Sequence, residues 1–149
     1  MIKAILLTVI LLYLLWLVIN FVSLIYKNSK VVSSFKKLEQ LLIKRYGILD
    51  SIVKSEESKK YLEELKSLPQ GMKFLNRKLA LNYLLTKCIK QENSGEEFPD
   101  EYKITTAQLQ NFGDVYNNRA DILKRAVEIF PKSFYARFLN IKTVDYYRG

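Results

Sequence analysis

Residues 4–26 read AILLTVILLYLLWLVINFVSLIY. No charge interrupts this run, and only Thr8, Asn20 and Ser23 are clearly polar. Coiled as an α-helix it is about 34 Å long, against a bilayer hydrocarbon core of about 30 Å, so it is long enough to span with slight tilt. Burial inside a protein is the poorer reading, because the rest of the chain is too small to surround a helix that is apolar on every side. A cleaved signal peptide would have an apolar stretch of about 7–15 residues ending in small side chains. Here the run is longer and leads straight into bulky residues, and no cysteine follows it to accept a lipid. Trp16 lies mid-run, whereas Tyr26 beside Lys27 suits the membrane–water boundary. The expected organisation is an uncleaved anchor over 1–26 and a folded domain over 27–149.

Charge sets the expected orientation. Lys3 precedes the run, and Lys27, Lys30, Lys36, Lys37, Lys44 and Arg45 follow it. Basic residues concentrate on the cytoplasmic side of single spans, which places the domain in the cytoplasm. Beyond the run lie 23 basic against 15 acidic residues. Such a surface beside a membrane attracts anionic headgroups. Nucleic acid is the other usual acidic partner, but the aromatic residues fall at core spacing rather than in stacking clusters, which disfavours it.

The domain reads as helical throughout. Five Gly and three Pro in 149 residues leave few turns. Phe35, Leu38, Leu42, Tyr46, Leu49 and Val53 make one helical stripe, and the spacing predicts a first helix over 31–68, bent or frayed at Ser55–Lys60 (SEESKK). Pro69-Gln70-Gly71 ends it. A second helix is expected over 73–90, with Cys88 as a small core residue. Residues 91–103 are the clearest loop, after which Thr105 or Thr106 caps a third helix. That helix carries Leu109, Phe112, Tyr116, Ala120, Leu123, Val127 and Phe130 at heptad spacing and stops at Pro131. An aromatic tail is expected to fold back as a last short helix. The fold class is therefore all-α: an N-terminal single transmembrane helix followed by an antiparallel three- to four-helix bundle. Whether the anchor runs unbroken into the first bundle helix is left open.

Chemistry is sparse. The chain has no histidine and one cysteine, which removes imidazole-based acid–base catalysis, Cys-His nucleophile activation, His metal sites and internal disulfides. The acidic doublets Glu56-Glu57, Glu63-Glu64 and Glu96-Glu97 are sequence neighbours and do not share a helix face. Asp50 and Ser51 lack a partnering base. No glycine-rich phosphate loop occurs. No catalytic residue, cofactor or metal ligand is expected, and the chain reads as a non-enzyme.

Two blocks carry a resemblance. Residues 116–147, YNNRADILKRAVEIFPKSFYARFLNIKTVDYY, are similar to the C-terminal signature of LemA proteins, with Tyr116, Asn117, Val127, Phe130, Pro131, Ala136, Lys142 and Tyr146 in register. Residues 42–53, LIKRYGILDSIV, resemble the family's basic-then-aromatic segment, through Lys44, Arg45, Tyr46, Ile48, Leu49, Ile52 and Val53. The chain departs from the pattern at Gly47, Asp50 and Leu123-Lys124, and its middle is about three helical turns shorter than the family's. It thus resembles a divergent, shortened LemA protein. The resemblance implies an N-terminal anchor, an antiparallel bundle and no assigned catalytic residues.

The function expected from these readings is a membrane-anchored interaction or scaffold module with an unidentified protein partner. The alternative is a basic module that binds anionic lipid surfaces. Lys44, Arg45, Asn117 and Arg119 are the candidate interaction surface, while Tyr46, Tyr116, Phe130 and Pro131 are expected to be structural.

Overall fold

A computed structural model describes residues 1–95 and 97–148. Among them are five α-helices and no strand: α1 (Ile2–Leu49), α2 (Glu56–Ser67), α3 (Leu75–Glu92), α4 (Asp100–Glu128) and α5 (Lys132–Phe138), with a single 3-10 turn (Met72–Phe74) ahead of α3. The all-α expectation holds.

The apolar run and the first bundle helix are one helix. No Gly or Pro lies between residues 1 and 46, so nothing in the sequence breaks it. Residues 2–16 of it are exposed, and its second half is the strut of the bundle. The stripe read from the sequence is the buried face: Phe35, Leu38, Leu42, Tyr46 and Leu49 are in the core, and Val53 just beyond the helix joins them.

The helix expected to reach residue 68 is instead two. Asp50–Ser55 turns the chain, and Ser55 caps α2 by accepting a hydrogen bond from the Ser58 amide at 3.1 Å. Glu56 and Glu57 then fill its first turn, where carboxylates suit the positive end of the helix dipole. SEESKK is therefore a helix start rather than a frayed middle. Helices α2 and α3 form a hairpin through Pro69-Gln70-Gly71, where Gly71 takes the left-handed φ of 119°.

Helix α4 begins five residues before the expected threonine cap. Asp100 and Glu101 occupy its first turn, and Thr105 is a buried mid-helix residue. Its inward face is Tyr102, Thr105, Leu109, Gly113, Tyr116, Ala120 and Leu123. The expected heptad is right at Leu109, Tyr116, Ala120 and Leu123, but Phe112 and Phe130 are exposed, with Gly113 inward in place of Phe112. Helix α4 packs antiparallel along α1: Tyr102 meets Arg45, Phe35 meets Tyr116, and Trp16 meets Phe130. Helix α5 folds back as expected and lies against the apolar half of α1, where the Tyr135 ring meets Phe21 edge-on at 5.3 Å. The bundle thus overlaps the expected 1–26 anchor from Trp16 onward, and Leu24 is fully buried.

Candidate functional site

The four candidate surface residues do not form one surface. Lys44 is exposed on α1. Its neighbour Arg45 is 1% exposed and turned into the core, which removes it from any contact surface. The 100° step of the helix puts adjacent residues on different faces. The Arg45 guanidinium donates to Tyr102 Oη at 3.0 Å and Thr86 Oγ1 at 3.2 Å, and it stacks on the Tyr102 ring. Among the described residues no carboxylate pairs with it. Arg45 therefore ties α1 to α3 and α4 through neutral partners.

Asn117 is likewise engaged, by the C-terminal tail. Its amide nitrogen donates to Tyr147 O at 2.8 Å, and its Oδ1 accepts from the Tyr147 amide at 2.6 Å. Tyr116 Oη donates to Asp145 O at 2.9 Å. The Tyr-Asn pair thus acts as a clamp that lays residues 145–147 along α4. The Tyr147 ring then seats on Gly113, where a β-carbon would fall inside the ring. Burial pushes the Tyr147 hydroxyl's pKa up, opposed by the nearby Arg45 charge; burial also raises Tyr46 and Tyr116. All three stay neutral phenols near neutral pH.

Arg119 faces the other way. It donates to Ser34 Oγ and to the Lys30 carbonyl on α1. Beside it, Tyr26, Lys27, Lys30 and Ile122 complete a recess of about 410 Å³. Lys30 lies 5.0 Å from the Tyr26 ring centre, and Lys27 donates to Ser23 Oγ at 2.9 Å. Three cations thus gather around Tyr26 and Ile122 at the level where the apolar run ends.

The remaining polar contacts hold the bundle. Glu39 accepts from Lys78 in a buried ion pair and from the Gly71 amide at 3.0 Å. Burial works to raise the Glu92 carboxyl's pKa, but hydrogen bonds from Ser55, Ser58 and the Lys54 and Ser55 amides outweigh it and hold it below its ordinary value. Burial raises the Cys88 thiol, and the Glu57 and Glu92 charges add to this, so Cys88 is a poor nucleophile. Glu56 and Glu57 sit in the first turn of α2, and Glu64 pairs with Arg77. Glu96 of the third acidic doublet lies outside the described residues. Of the residues expected to be structural, Tyr46, Tyr116 and Pro131 are buried and Phe130 is 63% exposed.

The sequence reading missed the Glu39–Lys78 pair and the Gly113–Tyr147 seat. Gly113 could have been found, since a glycine within a long helix signals close packing. In comparison with known proteins, no family model, curated protein or solved structure matches the chain.

Proposed function

We propose that the chain is a single-pass membrane protein of the LemA type that presents a helical bundle for protein contact at the cytoplasmic face. The observation that carries this reading is the continuity of α1. The helix is exposed over residues 2–16, uncharged from residue 4 on that stretch, and is the central strut of the bundle in its second half. A bundle built on its own anchor is held at a fixed height and orientation over the bilayer, as a scaffold requires. Lys44 on the exposed side of α1 remains a candidate contact. Arg45 and Asn117 do not, because their polar groups serve the bundle and the tail. Crosslinking in intact membranes, followed by gentle solubilisation, should recover a specific partner with the full chain and lose it when Lys44 and its exposed neighbours on α1 are replaced. Recovery of no specific partner in repeated experiments would sink the reading.

A second reading, binding to anionic lipid, is favoured by the Lys27–Lys30–Arg119 recess. Headgroup phosphates are anions at that height above the hydrocarbon, and basic residues close to the surface contribute about 1 kcal/mol each. The full chain reconstituted in neutral bilayers should draw in a minor anionic lipid, measured by native mass spectrometry. A Lys27→Gln/Lys30→Gln variant should lose the enrichment. Equal enrichment in parent and variant would refute it.

A further inference from the structure

We propose that the corner between α4 and α5 is embedded in the same leaflet boundary that α1 enters, with Ile129, Phe130, Phe134 and Phe138 in contact with lipid. The inference rests on the anchored reading of α1 and extends it from one helix to the base of the whole domain.

The argument begins with length. The first α1 side chain to meet the rest of the protein is Trp16, beside Phe130, so between the Lys3 charge and the bundle only the uncharged residues 4–15 are free. At about 1.5 Å per residue they reach about 18 Å, whereas the hydrocarbon core is about 30 Å thick and needs about 20 helical residues. A shortfall of about 12 Å remains. The bilayer must therefore reach the level of residues 17–22 on α1, and whatever packs there enters with it.

What packs there is suited to lipid. Trp16 lies beside Phe130, Phe21 beside Tyr135, and Tyr135 Oη donates to the Leu17 carbonyl at 3.3 Å. Facing outward at this level are Ile129 (64% exposed), Phe130, Phe134 and Phe138 (79%). Four large apolar side chains gathered at one end of a small domain form a patch of the kind that marks an interaction surface. Here the patch is continuous with the exposed apolar shaft of α1, and the bilayer that takes the shaft covers it too. Interfacial helices bury about 5–10 Å into the headgroup–acyl boundary, which takes up most of the shortfall. Lys124, Arg125 and Glu128 stand on the last turns of α4, and Lys132 and Arg137 on α5. The long cationic stems among them reach headgroups while their methylenes lie along apolar surface.

The test uses tryptophan fluorescence of the full chain reconstituted in phosphatidylcholine vesicles, with and without lipids brominated high on the acyl chain. Trp16 is the only tryptophan, so the parent protein reports on the anchor alone. The W16F/F134W and W16F/F138W variants report on the corner. Both replace exposed side chains, so the fold is retained. A W16F/K87W variant gives the water-exposed baseline. Loss of emission at residues 16, 134 and 138, with none at 87, is the expected result. Loss at 16 but not at 134 or 138 overturns the embedded corner and leaves the anchor standing. No loss at any position overturns the anchor, and the corner with it.

Discussion

Replacing Gly113 with alanine separates packing from helix propensity. In the interior of a helix a Gly→Ala change ordinarily stabilises by about 0.5–1 kcal/mol, because glycine has more backbone freedom to lose. Gly47 in α1 is such a position: nothing lies within 4 Å of where its β-carbon would stand. Gly113 is the opposite, since a β-carbon there overlaps the Tyr147 ring. The backbone of α4 is held against α1, so the ring must leave. Its burial contributes about 1.5–3 kcal/mol. The two Asn117 bonds to the Tyr147 backbone contribute about 1 kcal/mol each, and they strain or break as the ring moves. Against a propensity gain of about 1 kcal/mol, the net effect is a loss of about 1–3 kcal/mol. Denaturant unfolding of the full chain in detergent, followed by circular dichroism, measures both variants. Gly47→Ala should raise stability and Gly113→Ala should lower it. In a Tyr147→Ala background the Gly113→Ala change should turn stabilising again, because the two residues share one contact. A Gly113→Ala variant as stable as Gly47→Ala in the parent background would refute the seating of the tail.

Three further outcomes follow from charged side chains engaged by the bundle. Glu39→Ala strands the Lys78 ammonium, which is 4% exposed, and should lose about 3–5 kcal/mol in the same unfolding assay; Glu39→Leu/Lys78→Met should recover most of it. Arg45 is buried against neutral partners, so Arg45→Met should stay within about 1 kcal/mol of the parent or exceed it, whereas Arg45→Ala leaves a cavity and should lose about 2–4 kcal/mol. Equal losses for the two would show the charge itself to be required. Glu92 binds its proton less readily in the folded chain than in the unfolded one. Its stabilisation is therefore complete above the unfolded carboxylate pKa of about 4.3 and is lost as pH falls through the lower folded value. Unfolding of Glu92→Gln between pH 6 and pH 3 (about the carboxylate titration range) should depend less steeply on pH than that of the parent.

The parts of the fold legible in the sequence are those set by periodicity. The stripe from Phe35 to Leu49 repeats at three and four residues and forms the buried face of α1, because apolar spacing alone decides which side of a long helix turns inward. Boundaries were less legible, since they depend on local capping. Ser55-Glu56-Glu57 carried a helix-start signal within a polar stretch that also fits a fray. Asp100-Glu101 carried the same signal after Pro99, ahead of two threonines that fit a cap equally well. The candidate site was least legible. Arg45 and Lys44 are adjacent and both basic, and only the tertiary position of Tyr102 and Thr86 decides which one is buried. Asn117 likewise offers no sign in sequence that its amide will meet a backbone segment thirty residues later. The overlap between the apolar run and the bundle arises from the length of α4, whose antiparallel run carries α5 past Tyr26 to Phe21.

The central claim is that α1 crosses a membrane with the bundle on the cytoplasmic side. It is tested most directly by labelling intact cells with a membrane-impermeant maleimide in a Cys88→Ala background, with a single cysteine introduced by Ile2→Cys or by Lys90→Cys. The account predicts labelling of the Ile2→Cys protein in intact cells and of the Lys90→Cys protein only after lysis. Identical behaviour of the two, or labelling of Lys90→Cys alone before lysis, would contradict it.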